Sequence, residues 1–205
     1  PVSVRTLLGH HWRRHRTALV MLCLGMVLFE GIITRVAPSP EQTSFLRSLL
    51  QMAPGPVLQA LGEQITGSLS ASGFIAFFYV HPFPLLMLAV WSLRVSAGAL
   101  AREIGQGTMD LIAARPVTRA SQVTAALIAL LGGLALIAAA AWAGTAIGLL
   151  GWPIPEVAAT DYLPVAFQLW LLFVAFGGVG LLISASRKEG GPAIALLAGL
   201  MAVSF

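Results

Sequence analysis

From Ala120 to Pro155 the chain carries no charged side chain. A helix rises 1.5 Å per residue and the hydrocarbon core of a bilayer is about 30 Å thick, so roughly 20 apolar residues suffice to cross it. This run is longer than that, and it is one of five. Thr17 to Thr34 is interrupted only by Glu30. Gln64 to Leu93 lacks any Asp, Glu, Lys or Arg and is most apolar over Phe74–Leu93. Leu163 to Ser184 is uncharged, and a fifth run starts at Gly190 and is still apolar at Phe205. Composition agrees: 58% of residues are hydrophobic and 10% charged, with a mean hydropathy of +0.87. Soluble domains carry about 25% charged residues, and disordered chains need low hydrophobicity. Both classes are excluded.

Barrel strands would alternate apolar and polar residues over about ten positions. Segments such as Ala125–Ala143 are apolar on every face. A helix satisfies its own backbone groups in lipid, so the expected fold is all-α: a polytopic transmembrane helix bundle in one domain, 1–205. The expected parts are an interfacial helix over 1–16, span one over 17–35 and an external loop with short helices over 36–72. Span two follows over 73–93, then a cytoplasmic segment over 94–119, span three over 120–149, span four over 163–185 and span five over 190–205. Sixteen residues are short of a full crossing, so the fifth span reads as cut short.

Orientation follows from Lys and Arg, which accumulate on the cytoplasmic side. Arg5, Arg13, Arg14 and Arg16 precede span one. Arg94, Arg102, Arg115 and Arg119 lie between spans two and three, and Arg187 and Lys188 between spans four and five. These are ten of the twelve basic residues. The opposite loops hold only Arg35 and Arg47, with Glu41, Glu63, Glu156 and Asp161. The N-terminus is therefore expected in the cytoplasm. The net charge of +4 belongs to these loops and does not suggest nucleic acid as a partner. The apolar run after Arg13–Arg16 is longer than the core of a cleavable leader and lacks its small-residue cleavage site. Cys23 is the single cysteine, so no intrachain disulfide can form.

Val4, Leu7, Leu8 and Trp12 recur at helical spacing among basic residues, which suits a helix in the cytoplasmic interface or a simple basic anchor. Gly144 and Gly148 form a G-x-x-x-G pattern, which lets helices approach closely, either within one bundle or between two copies. Pro82 and Pro84 should kink span two and free backbone carbonyls.

No H-E-x-x-H, G-x-S-x-G, P-loop or C-x-x-C pattern occurs, so no catalytic residues and no metal ligands are assigned, and the chain has no P-loop of its own. Ionisable groups inside spans are costly and usually functional. Glu30 and His81 are the two candidates for a transport pathway. Each has a plainer reading: Glu30 satisfied by a partner such as Arg35, or reaching toward the interface, and His81 hydrogen-bonded to a carbonyl freed by the prolines.

The cytoplasmic segment is the most informative. Gly105 and Gly107 break the helix leaving span two. Thr108 can cap a new short helix whose first turn holds Asp110. Met109, Leu111 and Ile112 give that helix an exposed apolar side, Pro116 ends it, and Thr118 or Ser121 can cap span three. The product is a two-turn handle pinned between two spans. Glu103, Gly107, Thr108, Asp110, Leu111, Pro116 and Arg119 reproduce a pattern E-x-x-x-G-T-x-D-L-x-x-x-x-P-x-x-R. In this and in the order of its spans, the chain resembles the ABC-2 type transporter permeases, the membrane subunits of ABC exporters. The resemblance implies a coupling helix docked on a separate ATPase subunit, with Glu103, Gly107, Thr108, Met109, Asp110, Leu111, Ile112 and Arg115 at or beside that contact. It implies two ATPase copies, a second permease copy forming the pathway as a dimer, and membrane lipid around them. ATP and magnesium would be held by the ATPase and no cofactor by this chain, which would not itself be an enzyme. The setting implied is the cytoplasmic membrane of a prokaryote. Family members usually have six spans, so a sixth is expected beyond the five visible here. The alternative from another class is an ion-coupled secondary transporter or channel using Glu30 and His81. A membrane-embedded enzyme would need Glu30, His81 and Asp161 to converge.

Overall fold

A computed structural model describes residues 4–39, 42, 44, 48, 70–97, 118–186 and 190–204. Among these, every regular element is helical: α1 (Val4–Val36), α2 (Ala71–Tyr79), α3 (Pro82–Ser92) continued by a π-helical turn (Leu93–Ala97), α4 (Arg119–Gly151), a 3-10 turn (Ala159–Tyr162), α5 (Leu163–Ser186) and α6 (Gly190–Ser204).

The ends of these helices follow from local chemistry. Ser70 caps α2, its hydroxyl accepting the N–H of Gly73 at 3.0 Å. Thr118 caps α4, accepting the N–H of Ser121 at 3.1 Å. Such caps satisfy backbone donors that the first turn leaves open. α4 runs out just before Pro153, where the preceding residue is pushed out of helical geometry. Pro164 and Pro192 sit in the first turns of α5 and α6, where a missing N–H does no harm. Ser39 and Gln42 exchange backbone N–H bonds with each other's side chains at 3.0 and 3.3 Å. This is a capping box, and residues 42, 44 and 48 beyond it are helical.

The break between α2 and α3 comes where the two prolines predict it. The N–H of Val80 turns back to the Phe77 carbonyl at 3.1 Å and that of His81 to the Phe78 carbonyl at 3.2 Å. The last turn thus tightens to i−3 bonds before Pro82 restarts the helix. α1, by contrast, passes through residues 16 and 17 without interruption. The expected division there into an interfacial helix and a span is not marked by any helix end.

Four helical stretches are long and apolar enough to cross a membrane: Val4–Val36, Ala71–Ser96, Ala120–Gly151 and Ala159–Ser186. Gly191–Ser204 is a shorter apolar helix. Their outward faces are apolar too. On α1, Val20, Leu24, Leu28, Ile32 and Val36 are all more than half exposed and recur every four residues. Leu150, Leu182 and Val203 are exposed at 83%, 73% and 89%. In water such surface would drive aggregation, whereas against lipid tails it costs nothing. The protein is a multi-pass membrane protein.

The chain forms two compact units, one comprising Pro1–Cys23, Leu86–Ala138 and Gln168–Phe205, the other Leu24–Leu85 and Ala139–Phe167. The first is built around Trp91, which is 1% exposed. Gly133 makes room for it, since a Cβ there would fall 2.0 Å from the indole ring. Trp12 lies beside Trp91 with ring centres 6.5 Å apart, and His15 meets it edge-on at 6.2 Å. Gly177 seats the Leu130 side chain in the same way, and Gly180 seats Ser96 and Leu197.

The second unit is built on a close contact between α1 and α4. A Cβ on Gly144 would lie 2.6 Å from the Val27 carbonyl oxygen, and one on Gly148 2.6 Å from Thr34 Cβ. The G-x-x-x-G pattern thus serves packing inside the chain, seating α1 on α4. Ile75, Tyr79 and Tyr162 complete this core, with the two tyrosine rings stacked at 5.8 Å and 7°.

Candidate functional site

Glu30 sits on the part of α1 that packs against the small residues of α4. It is 0% exposed. Its Cβ lies 3.0 Å from where a Cβ on Gly144 would stand. Neither carboxyl oxygen has a hydrogen-bond partner. The hydroxyls of the same core are directed elsewhere. Thr34 donates to the backbone carbonyl of Glu30 at 2.8 Å. Tyr79 Oη and Thr145 Oγ1 are 2.8 Å apart. Thr145 also donates to the Ala141 carbonyl at 3.5 Å, which leaves the Tyr79 phenol as donor to Thr145.

Neither plain reading of Glu30 survives. It does not reach an interface, because it has no exposed surface. Arg35 does not satisfy it. That guanidinium lies 4.1 Å from the centre of the Trp152 ring, a cation–π contact, and is exposed. The geometry explains the choice. Glu30 and Arg35 are five residues apart, so they project from different sides of the helix, whereas ion pairs favour three or four.

His81 lies at the α2–α3 break among aromatic rings. Its ring centre is 5.3 Å from Phe78 and 5.6 Å from Phe29, and Phe29 stacks on Phe83 at 4.7 Å. The hydrogen bond differs from expectation. Instead of donating to a freed carbonyl, His81 accepts the Phe83 N–H on Nδ1 at 3.3 Å. The proline break frees a backbone donor within reach of the ring, and that donor is taken. Among the described residues, no hydrogen bond or ring contact joins Glu30 to His81. Glu30 faces α4 while Phe29, the next residue, carries the contact to His81. Asp161 is exposed and accepts the Ala158 N–H at 3.1 Å, so the three groups a membrane-embedded enzyme would need are engaged separately.

The residues expected to couple to an ATPase, Glu103, Gly107, Thr108, Met109, Asp110, Leu111, Ile112 and Arg115, lie outside the described residues. So do most of the expected external loop, 36–72, and its short helices. The flanks of that segment are described. Before it, Ser92 donates to the Phe173 carbonyl at 3.3 Å and Ser96 donates to the Ser92 carbonyl, and the chain leaves through the π-helical turn Leu93–Ala97. After it, Thr118 opens α4. Among the described residues, no group of three or more His, Cys, Asp and Glu could hold a metal ion.

Sequence reasoning passed over Tyr79 and Thr145. Their signal was present, since each is a polar residue inside an apolar run and Thr145 falls within the G-x-x-x-G pattern itself. It also passed over the π turn, which has no marker in the residue order. Comparison with protein-family models, with curated proteins and with solved structures finds no match.

Proposed function

We propose that this chain is the membrane subunit of an ATP-driven exporter of the ABC-2 type, in the cytoplasmic membrane of a prokaryote. One observation carries the reading: the segment Glu103–Arg119, with its Gly107-Thr108, Asp110-Leu111, Pro116 and Arg119, joins two long apolar helices on the side that holds ten of the twelve basic residues. A helix pinned at both ends by membrane spans makes a lever. Work done on it by a nucleotide-binding partner passes to the spans as rigid-body motion. Three further features support the reading. Helical structure leads into the segment through Leu93–Ala97, and α4 begins after it at Arg119. The hydroxyl of Thr118 caps the second, so the lever would enter α4 without slack. The sequence has no P-loop, which suits a subunit that borrows its ATPase. The pathway would run between two copies of the permease, and two ATPase subunits would bind ATP and magnesium beneath them.

The test is a double substitution, Asp110→Lys with Met109→Glu. It reverses the charge at Asp110, the acid expected in the handle's first turn, and charges the side expected to be apolar. The variant should reach the membrane in normal amount and lose co-purification with its ATPase partner. Co-purification at the wild-type yield would end the coupling assignment.

An ion-coupled transporter is favoured by one observation, the bare carboxyl of Glu30. It predicts transport that follows an ion gradient and persists without any ATPase.

A further inference from the structure

Glu30 is the one Asp, Glu, Lys or Arg buried among the described residues, and both of its carboxyl oxygens lack a partner. The groups around it account for themselves. On α1, Thr34 donates to the Glu30 main chain and Arg35 lies over Trp152. On α4, Gly144, Thr145 and Gly148 carry no charge, and Thr145 is taken up by Tyr79 and Ala141. On α2, the Tyr79 phenol is spent on Thr145, and beyond it Tyr162 donates to the Ser72 carbonyl at 3.2 Å. Asp161 holds the Ala158 N–H, and His81 holds the Phe83 N–H. No described group offers Glu30 a positive charge or a donor.

An ionised carboxylate without partners in an apolar interior is far more costly than a neutral polar group. In a membrane span such a residue marks a functional site by default. What the position lacks is one positive charge small enough to enter a seam where α1 and α4 leave no space for a methyl group. Hard metal cations take about six oxygen ligands or more, and among the described residues no second carboxylate stands beside Glu30 to help hold one. A proton needs one oxygen.

We propose that Glu30 is a proton-binding site, holding its carboxyl as the neutral acid while α1 and α4 are in contact. A proton from water adds to one carboxylate oxygen, forming the O–H bond. Its release returns the proton to water and leaves a charge in the seam, which then opens to admit water around it. The inference needs only that α1 lies in lipid. It holds whether or not an ATPase drives the protein.

The experiment is infrared spectroscopy of the full chain in lipid nanodiscs at neutral pH, comparing the wild type with Glu30→Gln and Glu30→Asp. The wild type should show a carboxylic-acid C=O band that shifts in heavy water. Glu30→Gln should lose it and Glu30→Asp should move it, and sodium should not affect it. As a measurement that needs no variant, dicyclohexylcarbodiimide, an apolar reagent for protonated carboxyl groups, should add to Glu30 in the wild type, as read by peptide mass spectrometry. A band that sodium abolishes would make this a sodium site and overturn the proposal. Absence of both the band and the adduct would show an ionised Glu30 and also overturn it. Neither result depends on ATPase binding, so failure here is distinct from failure of the exporter reading.

Discussion

The two compact units are made of the same kind of apolar helix, yet they handle buried polarity differently. In the Trp91 unit, several polar side chains reach backbone carbonyls. Ser92 bonds to Phe173, Ser96 to Ser92, and Trp170 to Leu131 at 3.2 Å. Trp91 Nε1 has no partner, but it is one weak group on a large apolar ring, whose burial offsets it. In the Glu30 unit, Tyr79, Thr145, Tyr162 and Trp142 are all satisfied, Trp142 on the Ala159 carbonyl at 2.9 Å. The carboxyl beside them is not. A bare N–H on an indole is a tolerable packing expense, and a bare carboxyl is not, because its charged form loses far more on leaving water. The difference leaves one unit with a bare indole N–H and the other with a bare buried carboxyl.

Glycine substitutions put the sharpest strain on this comparison. Gly144→Val should be the most damaging change, destabilising by about 3 kcal/mol or more, because the added atoms meet the backbone of Val27 and α1 must move away. Thermal or steric-trap unfolding in detergent would measure it. Gly133→Ala should follow, at about 1–3 kcal/mol, since the methyl group meets the buried Trp91 side chain rather than a helix backbone. Quenching of tryptophan fluorescence should rise with it. If Gly133→Ala proves worse than Gly144→Val, the seam under Glu30 is looser than its geometry requires, and the contrast between the units fails. Tyr79→Phe should cost about 1 kcal/mol by removing the donor to Thr145. Ser92→Ala should have the smallest effect, about 0.6 kcal/mol, the average for hydrogen bonds between membrane helices. An effect of Ser92→Ala larger than that of Tyr79→Phe would mean that the Trp91 unit relies on its polar bonds more than on packing.

Much of the architecture was legible in the residue order. The uncharged runs marked the long helices, Pro82 and Pro84 marked the α2–α3 break, and Thr118 was one of two candidate caps for α4. The signals are local, so one stretch of chain suffices to read them. The site was legible only as a short list. Glu30 and His81 stood out as ionisable groups in apolar runs, but their pairing with Arg35 and with a freed carbonyl was read from proximity in sequence. Helical phase sends Glu30 toward α4 and leaves Arg35 to Trp152. Which way the ring nitrogen of His81 is used depended on which backbone group the break releases nearest to it.

The order of amino acids was enough to exclude water as the solvent, because hydrophobicity and charge sum along a chain regardless of how it packs. It was enough, too, to mark where the long apolar helices lie and where the break between α2 and α3 falls. Whether the G-x-x-x-G face turns inward, and whether Glu30 finds a partner, required the folded arrangement. Those outcomes depend on contacts between residues more than a hundred positions apart, as with Val27 and Gly144, and local patterning carries no information about which distant surface a helix face will meet.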